Sequence, residues 1–245
     1  MEELKKEETK TGYTVSFEDY SKLDDDRKSL FCCEFCYYSN LIEGIRTPYI
    51  ETMTVGEEPK EEPELFDHYS AFDYMLKNFT RNLKEEDIKQ MHFILMQNLL
   101  RNPEKHAGKY RPYNVQVGGK GCPLYEQVPE LMKELESDIC KIEPRPDCKD
   151  EIWDVHNKFE TIHPFVDGNG RTGRLLLNWL SLKHLGMFNV VTLEKREKYY
   201  EGIQKYKEEF KKNNPNVRFY KDRKLKPVYD LETMLFLHDF GKKKK

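Results

Sequence analysis

His163-Pro-Phe-Val-Asp-Gly-Asn-Gly-Arg-Thr-Gly-Arg174 is the stretch on which the fold and chemistry of this chain turn. Gly168 and Gly170 let backbone approach a ligand with no Cβ in the way, and Asn169 tolerates the left-handed conformation that such a turn needs. From Arg171 to Leu185 the apolar residues Leu175, Leu176, Trp179, Leu182 and Leu185 recur at helical spacing, so the turn sits at a helix N-terminus. Free N–H groups and the positive end of the helix dipole then face any bound anion. Arg171 and Arg174 lie three apart in the first turn, where cations are unfavourable unless an anion pairs with them, and a polyphosphate is such an anion. Asp167 is a hard oxygen ligand of the kind Mg²⁺ takes while keeping its waters and substrate phosphates. His163 is the one side chain here that titrates near working pH, and a nearby helix N-terminus favours its neutral form, so it is the candidate general base.

Each part alone is commonplace, since Gly-Asn-Gly is usually a turn and paired arginines usually a solvated face. Together they resemble the signature of the Fic (filamentation induced by cAMP) family, His-Pro-Phe-x-Asp/Glu-Gly-Asn-Gly/Lys-Arg-x-x-Arg, and every fixed position is met. The resemblance implies an all-α, mainly helical Fic fold with a short β-hairpin flap, and transfer of AMP from ATP to a hydroxyl of a target protein with Mg²⁺. By the same resemblance His163 takes the hydroxyl proton and Asp167 holds the metal. Gly168, Asn169 and Gly170 form the anion hole, Arg171 contacts the phosphates, Arg174 holds the terminal phosphate, and Phe165 packs beneath the loop.

Far upstream, Ser39-Asn-Leu-Ile-Glu43-Gly44 resembles the family's inhibitory pattern Ser/Thr-x-x-x-Glu-Gly/Asn. A glutamate delivered to Arg174 would pair bidentately with the guanidinium and take the place meant for the terminal phosphate. The plainer account is a glutamate near a helix end followed by a glycine C-cap. In some relatives the same glutamate also serves AMP removal.

Between the two motifs, Asn114-Val-Gln-Val117 alternates like a strand, Gly118-Gly-Lys-Gly121 reads as a turn, and Cys122-Pro-Leu-Tyr125 as a return arm, a flap at about 113–125. Its exposed edge would hold a target segment by strand addition, with self-modification a further outcome. Val117 and, in Arg196-Glu-Lys-Tyr-Tyr200, Tyr200 carry over as nucleotide contacts. Lys207 stands where some relatives have asparagine, which leaves the ribose or adenine side undetermined.

The organisation expected is an N-terminal segment over 1–63 with the inhibitory helix and a charged linker, Glu57 to Pro63, then a core over 64–210, then a tail over 211–245 with a docking helix at Leu231–Phe240. Helices are expected on Ile88, Met91, Leu95 and Leu99, on Val128, Leu131, Leu135 and Ile139, and on Ile152, Val155, Phe159 and Ile162, the last ending at Pro164 and delivering His163. With 41 basic and 44 acidic residues, net charge −3, the chain gives no sign of a nucleic-acid partner. No apolar run reaches membrane-span length and the N-terminus lacks a signal peptide's apolar stretch, so a cytoplasmic location is expected. Six cysteines, including Cys33-x-x-Cys36, lack the second pair that a structural zinc site uses and read as reduced thiols. The resemblance leaves a homodimer open.

Alternatives are a phosphotransferase like the Doc branch, which carries lysine where this chain has Gly170, and a non-catalytic nucleotide- or protein-binding module, for which His163 has no use. A His/Asp metal hydrolase built on His156, His163 and Asp167 leaves Arg171 and Arg174 unexplained.

Overall fold

The computed structural model describes residues 4–45, 63–145 and 147–220. The linker, apart from Pro63, and the docking helix expected at Leu231–Phe240 lie outside the described residues.

The central element is the helix Asn169–Leu185 (α8), whose side chains are buried from Arg171 through Leu182 on all faces. A helix apolar all round must be surrounded, and it is. Around it stand α2 (Asp25–Ile42), α3 (Pro63–Asn78), α4 (Glu85–Met96) and α7 (Lys149–Ile162). Outside these, α6 (Val128–Lys141) and α9 (Arg196–Asn213) pack on α7. The expected apolar stripes are inward: Val128, Leu131, Leu135 and Ile139 on α6, and Ile152, Val155, Phe159 and Ile162 on α7, are all buried. On α4 the stripe is shorter than expected, because the helix ends at Met96 and leaves Leu99 beyond it. The helix α9 continues to Asn213, past the expected core boundary at 210.

Two features were absent from the sequence reading. A short helix α1 (Phe17–Ser21) follows a strand β2 (Gly12–Ser16), and β2 pairs antiparallel with β5 (Met187–Val191), Gly12 opposite Val191 and Ser16 opposite Met187, with β1 (Glu7–Glu8) on its outer edge. The sheet ties the N-terminal residues to the strand that follows α8. Tyr13, Val15, Phe31 and Phe35 accordingly share one core with Phe72, Leu175 and Phe188.

The flap is a tighter hairpin than expected. Its strands are β3 (Gln116–Val117) and β4 (Lys120–Gly121), joined by Gly118 and Gly119, both at positive φ, so the turn occupies two residues and Lys120 and Gly121 belong to the return strand. The edge of the return arm is also not open. Pro123 bridges Phe219, Leu124 N donates to Arg218 O at 2.9 Å, and Tyr220 N donates to Cys122 O at 2.8 Å. Among the described residues, no strand pairs with the outer edge of β3. Among the described residues, no helix is long and apolar enough to cross a membrane.

Candidate active site

The run 163–174 forms a corner between α7 and α8. His163 caps α7 in the left-handed conformation, φ 53° and ψ 62°, and no other non-glycine residue described has positive φ. A histidine is held there at a cost, which other contacts must offset. Arg111 supplies them: its Nε donates to His163 O at 2.8 Å, while its other nitrogens donate to the carbonyls of Tyr113, Pro123 and Ile162. One buried guanidinium thereby staples the flap's two arms to the catalytic corner. The His163 side chain is partly buried, and among the described residues its enclosed Nδ1 has no hydrogen-bond partner. Burial, then the nearby charges of Arg111 and Lys207, hold its pKa down at about 3, so the imidazole is neutral and free to accept a proton.

The left-handed residue of the loop is Gly168, φ 72°, rather than Asn169, which is already the first residue of α8. Asn169 turns its side chain back to brace the loop: Phe165 N donates to its Oδ1 at 2.8 Å and its Nδ2 donates to Phe165 O at 3.0 Å. Any anion contact at Asn169 therefore falls to its backbone. Phe165 is fully buried and stacks on His92 at 3.7 Å. The His92 ring accepts from Gly108 N at Nδ1 and donates from Nε2 to Asp167 O, fixing the loop from α4. Asp167 is exposed, with Oδ1 accepting from Gly168 N at 2.7 Å. A single exposed carboxylate beside an anion-binding turn fits Mg²⁺, whose other ligands are phosphate oxygens and water.

The two arginines differ. Arg171 is 3% exposed and touches Met96 Sδ at 3.4 Å, and among the described residues its Nε and Nη1 have no partner. Burial lowers its pKa, opposed by Asp167 and Glu43. A buried guanidinium with unmet donors at a helix N-terminus is built to receive an anion. Arg174, in contrast, is fully partnered. Its Nη1 lies 2.8 Å from Glu43 Oε1, its Nε donates to Ser39 Oγ at 2.8 Å, and its Nη2 donates to Ser39 O at 2.8 Å. Burial opposes its charge, but Glu43 and then Tyr199 hold the pKa above the usual guanidinium range.

Ser39 and Glu43 thus both contact Arg174, and the geometry of the glutamate contact differs from the bidentate pairing expected. The contact is one oxygen on one nitrogen rather than bidentate, because the Ser39 hydroxyl and carbonyl occupy the other two nitrogens. The contact with Arg174 and the helix-capping geometry coexist at Glu43-Gly44. Glu43 is the C-cap of α2, and Gly44 at φ 79° closes a Schellman turn in which Ile45 N donates to Asn40 O and Gly44 N to Leu41 O. The carboxylate reaches over the start of α8 so closely that a Cβ on Gly170 would lie 2.2 Å from Glu43 Oε1.

Tyr200 donates to Ile42 O at 3.2 Å, next to the glutamate, and Arg196 lies over its ring. Val117 is on β3 of the flap, half-buried. Lys207 is 2% exposed with a depressed pKa from burial. Glu160 was not foreseen: its Oε1 is enclosed without a partner, and burial pushes its pKa up to about 8 against the pull of Arg174. His92, Arg111, His156 and Tyr199 were likewise missed as site supports.

Residues 82–181 match the model of the Fic/DOC family. A probable protein adenylyltransferase of Aquifex aeolicus is 29% identical over 186 residues, covering 71% of this chain and 57% of its own. The protein adenylyltransferase Fic of Drosophila erecta is 27% identical over 183 residues, 69% of this chain and 36% of that one. The chain therefore spans little more than half of the first of these relatives and about a third of the second. Among solved structures, a Fic domain containing signaling protein from Bacteroides thetaiotaomicron superposes with a TM-score of 0.58 at 21% identity, over 77% of this chain and 78% of that one. Fic-1 of Caenorhabditis elegans gives 0.58 at 22%, over 78% and 61%. These two share the fold.

Proposed function

We propose, from the premise that residues 82–181 carry a Fic/DOC family domain, that this chain transfers AMP from ATP to a hydroxyl side chain of a target protein and that Glu43 holds the activity down. The observation that carries the reading is the pair of buried guanidiniums on the first turns of α8. Arg171 has unmet donors, and Arg174 is occupied by a carboxylate from the chain's own α2. A site that binds a polyphosphate needs the first, and a site that is restrained needs the second.

The backbone of Gly168 to Gly170 and Arg171 receive the α- and β-phosphates, and Arg174 receives the terminal phosphate once Glu43 withdraws. Mg²⁺, held by Asp167, supplies charge neutralisation at the phosphates when bound. His163, neutral in the free site, takes the target's hydroxyl proton at Nε2 as that oxygen attacks the α-phosphorus and pyrophosphate leaves. The anionic phosphates stabilise the resulting imidazolium. An extended target segment adds to the outer edge of β3 and presents its hydroxyl through backbone contacts. Tyr200 and Val117 line the nucleotide. Such chemistry belongs where ATP and Mg²⁺ are abundant, in the cytosol; label on the chain itself would report self-modification, and a homodimer would show in its mass in solution.

Gly170 speaks against the phosphotransferase reading. A lysine there would need the volume that Glu43 fills.

The test follows label on protein for wild type, Glu43→Gly and His163→Ala, given Mg²⁺ and either α- or γ-labelled ATP. Label from the α-phosphate only, strongest in Glu43→Gly and about 10²–10⁴-fold weaker in His163→Ala with nucleotide binding retained, is the expected result. Label from the γ-phosphate would establish kinase chemistry instead. Loss of AMP from labelled protein on adding wild type would make removal the main activity.

A further inference from the structure

Three of the four polar contacts on Arg174 come from the end of α2: Ser39 Oγ, Ser39 O and Glu43 Oε1. On the reading above, this is the segment that must withdraw before a terminal phosphate can enter. A long flexible side chain stripped of three partners loses its aim. The fourth contact is different, because it belongs to the core. Tyr199 Oη lies 3.5 Å from Arg174 Nη1, and the guanidinium carbon stands 5.9 Å from the centre of the same ring.

The Tyr199 hydroxyl is itself held. His156 Nε2 is 3.0 Å from Tyr199 Oη, and His156 Nδ1 is 2.9 Å from Gly173 O, both within fully enclosed surroundings. The chemistry of the end groups fixes the direction of the whole chain. A carbonyl oxygen only accepts, so His156 Nδ1 carries the hydrogen. In the neutral ring Nε2 is then an acceptor, the Tyr199 hydroxyl must donate to it, and the lone pairs of Oη are left facing Arg174 Nη1–H. Burial keeps the His156 pKa at about 3, so this order persists through the neutral range. The chain closes on itself: Gly173 is the residue before Arg174 on α8, His156 comes from α7 and Tyr199 from α9.

We propose that Tyr199, oriented by His156, is a positioning residue that keeps the Arg174 guanidinium aimed at the terminal phosphate once the end of α2 has released it. The claim rests on the nucleotide reading of the site and deepens it. A structural role alone would weaken every nucleotide together, whereas positioning of Arg174 is felt only by a ligand that has a γ-phosphate.

The experiment compares ATP with AMP by calorimetry, with Mg²⁺, in Glu43→Gly and in Glu43→Gly/Tyr199→Phe. The phenylalanine keeps the ring, which packs against Ile42 and Ile203, and removes only the oxygen. The dissociation constant for ATP should rise about tenfold, the order expected for a lost hydrogen bond to a charged group, while that for AMP changes less than twofold. Adding His156→Phe should not weaken ATP much further, since both changes break one chain. Equal loss for ATP and AMP, or no loss for ATP, overturns the role. A Glu43→Gly parent that holds ATP no more tightly than AMP overturns the reading of the site itself, before Tyr199 is touched.

Discussion

Arg171 is a group the free protein holds at a cost. A guanidinium that is 3% exposed, with one nitrogen on a weak sulfur acceptor and two without partners among the described residues, has lost water for little in return. Replacing it with an apolar side chain of similar length removes that cost, so Arg171→Met should melt above wild type without nucleotide, by roughly 1–3 kcal/mol, and should lose the stabilisation that ATP gives wild type. Calorimetric melting with and without ATP reads both, and a variant less stable than wild type without ligand would mean the guanidinium is already satisfied. Arg111 is the opposite case, a buried arginine whose three nitrogens all reach carbonyls. Lysine cannot reproduce the fork, so Arg111→Lys should cost about 2–4 kcal/mol in chemical denaturation. Under conditions where the variant remains folded, it should lower transfer more than ATP affinity, because His163 and the flap lose their common anchor. Equal falls in both would confine Arg111 to stability.

At the level of elements, the proposed inhibition rests on the end of α2. Its position depends on the Schellman turn at Gly44, where a Cβ would meet nothing within 4 Å but φ is 79°. Gly44→Ala is therefore a backbone perturbation alone, worth about 1–2 kcal/mol against the turn. Since that strain falls on the conformation that delivers Glu43, transfer by Gly44→Ala should rise several-fold, though less than in Glu43→Gly. Unchanged transfer in an initial-rate assay would show that the lock does not depend on the turn. How much of this could be read from the chain follows sequence distance. The corner 163–174 is contiguous, so its residues were legible as a unit, and Glu43 was legible through its local pattern. Ser39 and Arg174 are 135 residues apart, His92 and Asp167 75, and Arg111 and His163 52, with no local periodicity to signal that they meet. The strands Gly12–Ser16 and Met187–Val191 were missed for the same reason: each is five residues long, and neither reads as a strand without the other. The signal present was composition, β-branched residues in Tyr13-Thr-Val15 and Val190-Val191, which is weak beside the long helical stripes.

Across the whole molecule, the supports of the site are buried neutral histidines, and this sets the pH response. His92, His156 and His163 have pKa values lowered to about 3, chiefly by burial, and burial holds His68 well below its ordinary value too. In the unfolded chain each titrates near 6.5, so between about pH 6.5 and 3 unfolding takes up protons that the folded state excludes. Stability therefore falls as pH drops through this window, by about 1.4 kcal/mol per pH unit for each histidine once the pH is well below 6.5. Glu160 works in the other direction. Its folded pKa of about 8 lies above the unfolded value, so the folded state holds a proton that the unfolded chain has released, and stability declines as pH rises from about 4.5 to 8. The two effects oppose each other over part of the acid range, where His184, lowered by burial, joins the histidines, and Asp67 and Asp154, raised by burial, join Glu160. Denaturant melts from pH 4 to 8.5 should show a steep acid limb from the histidines. On the alkaline side, Glu160→Gln should gain on wild type as pH rises, because the amide has no proton to lose. A Glu160→Gln difference that is flat with pH would mean that Glu160 is ionised in the folded protein. Arg174 would then feel the charge of a second carboxylate besides that of Glu43.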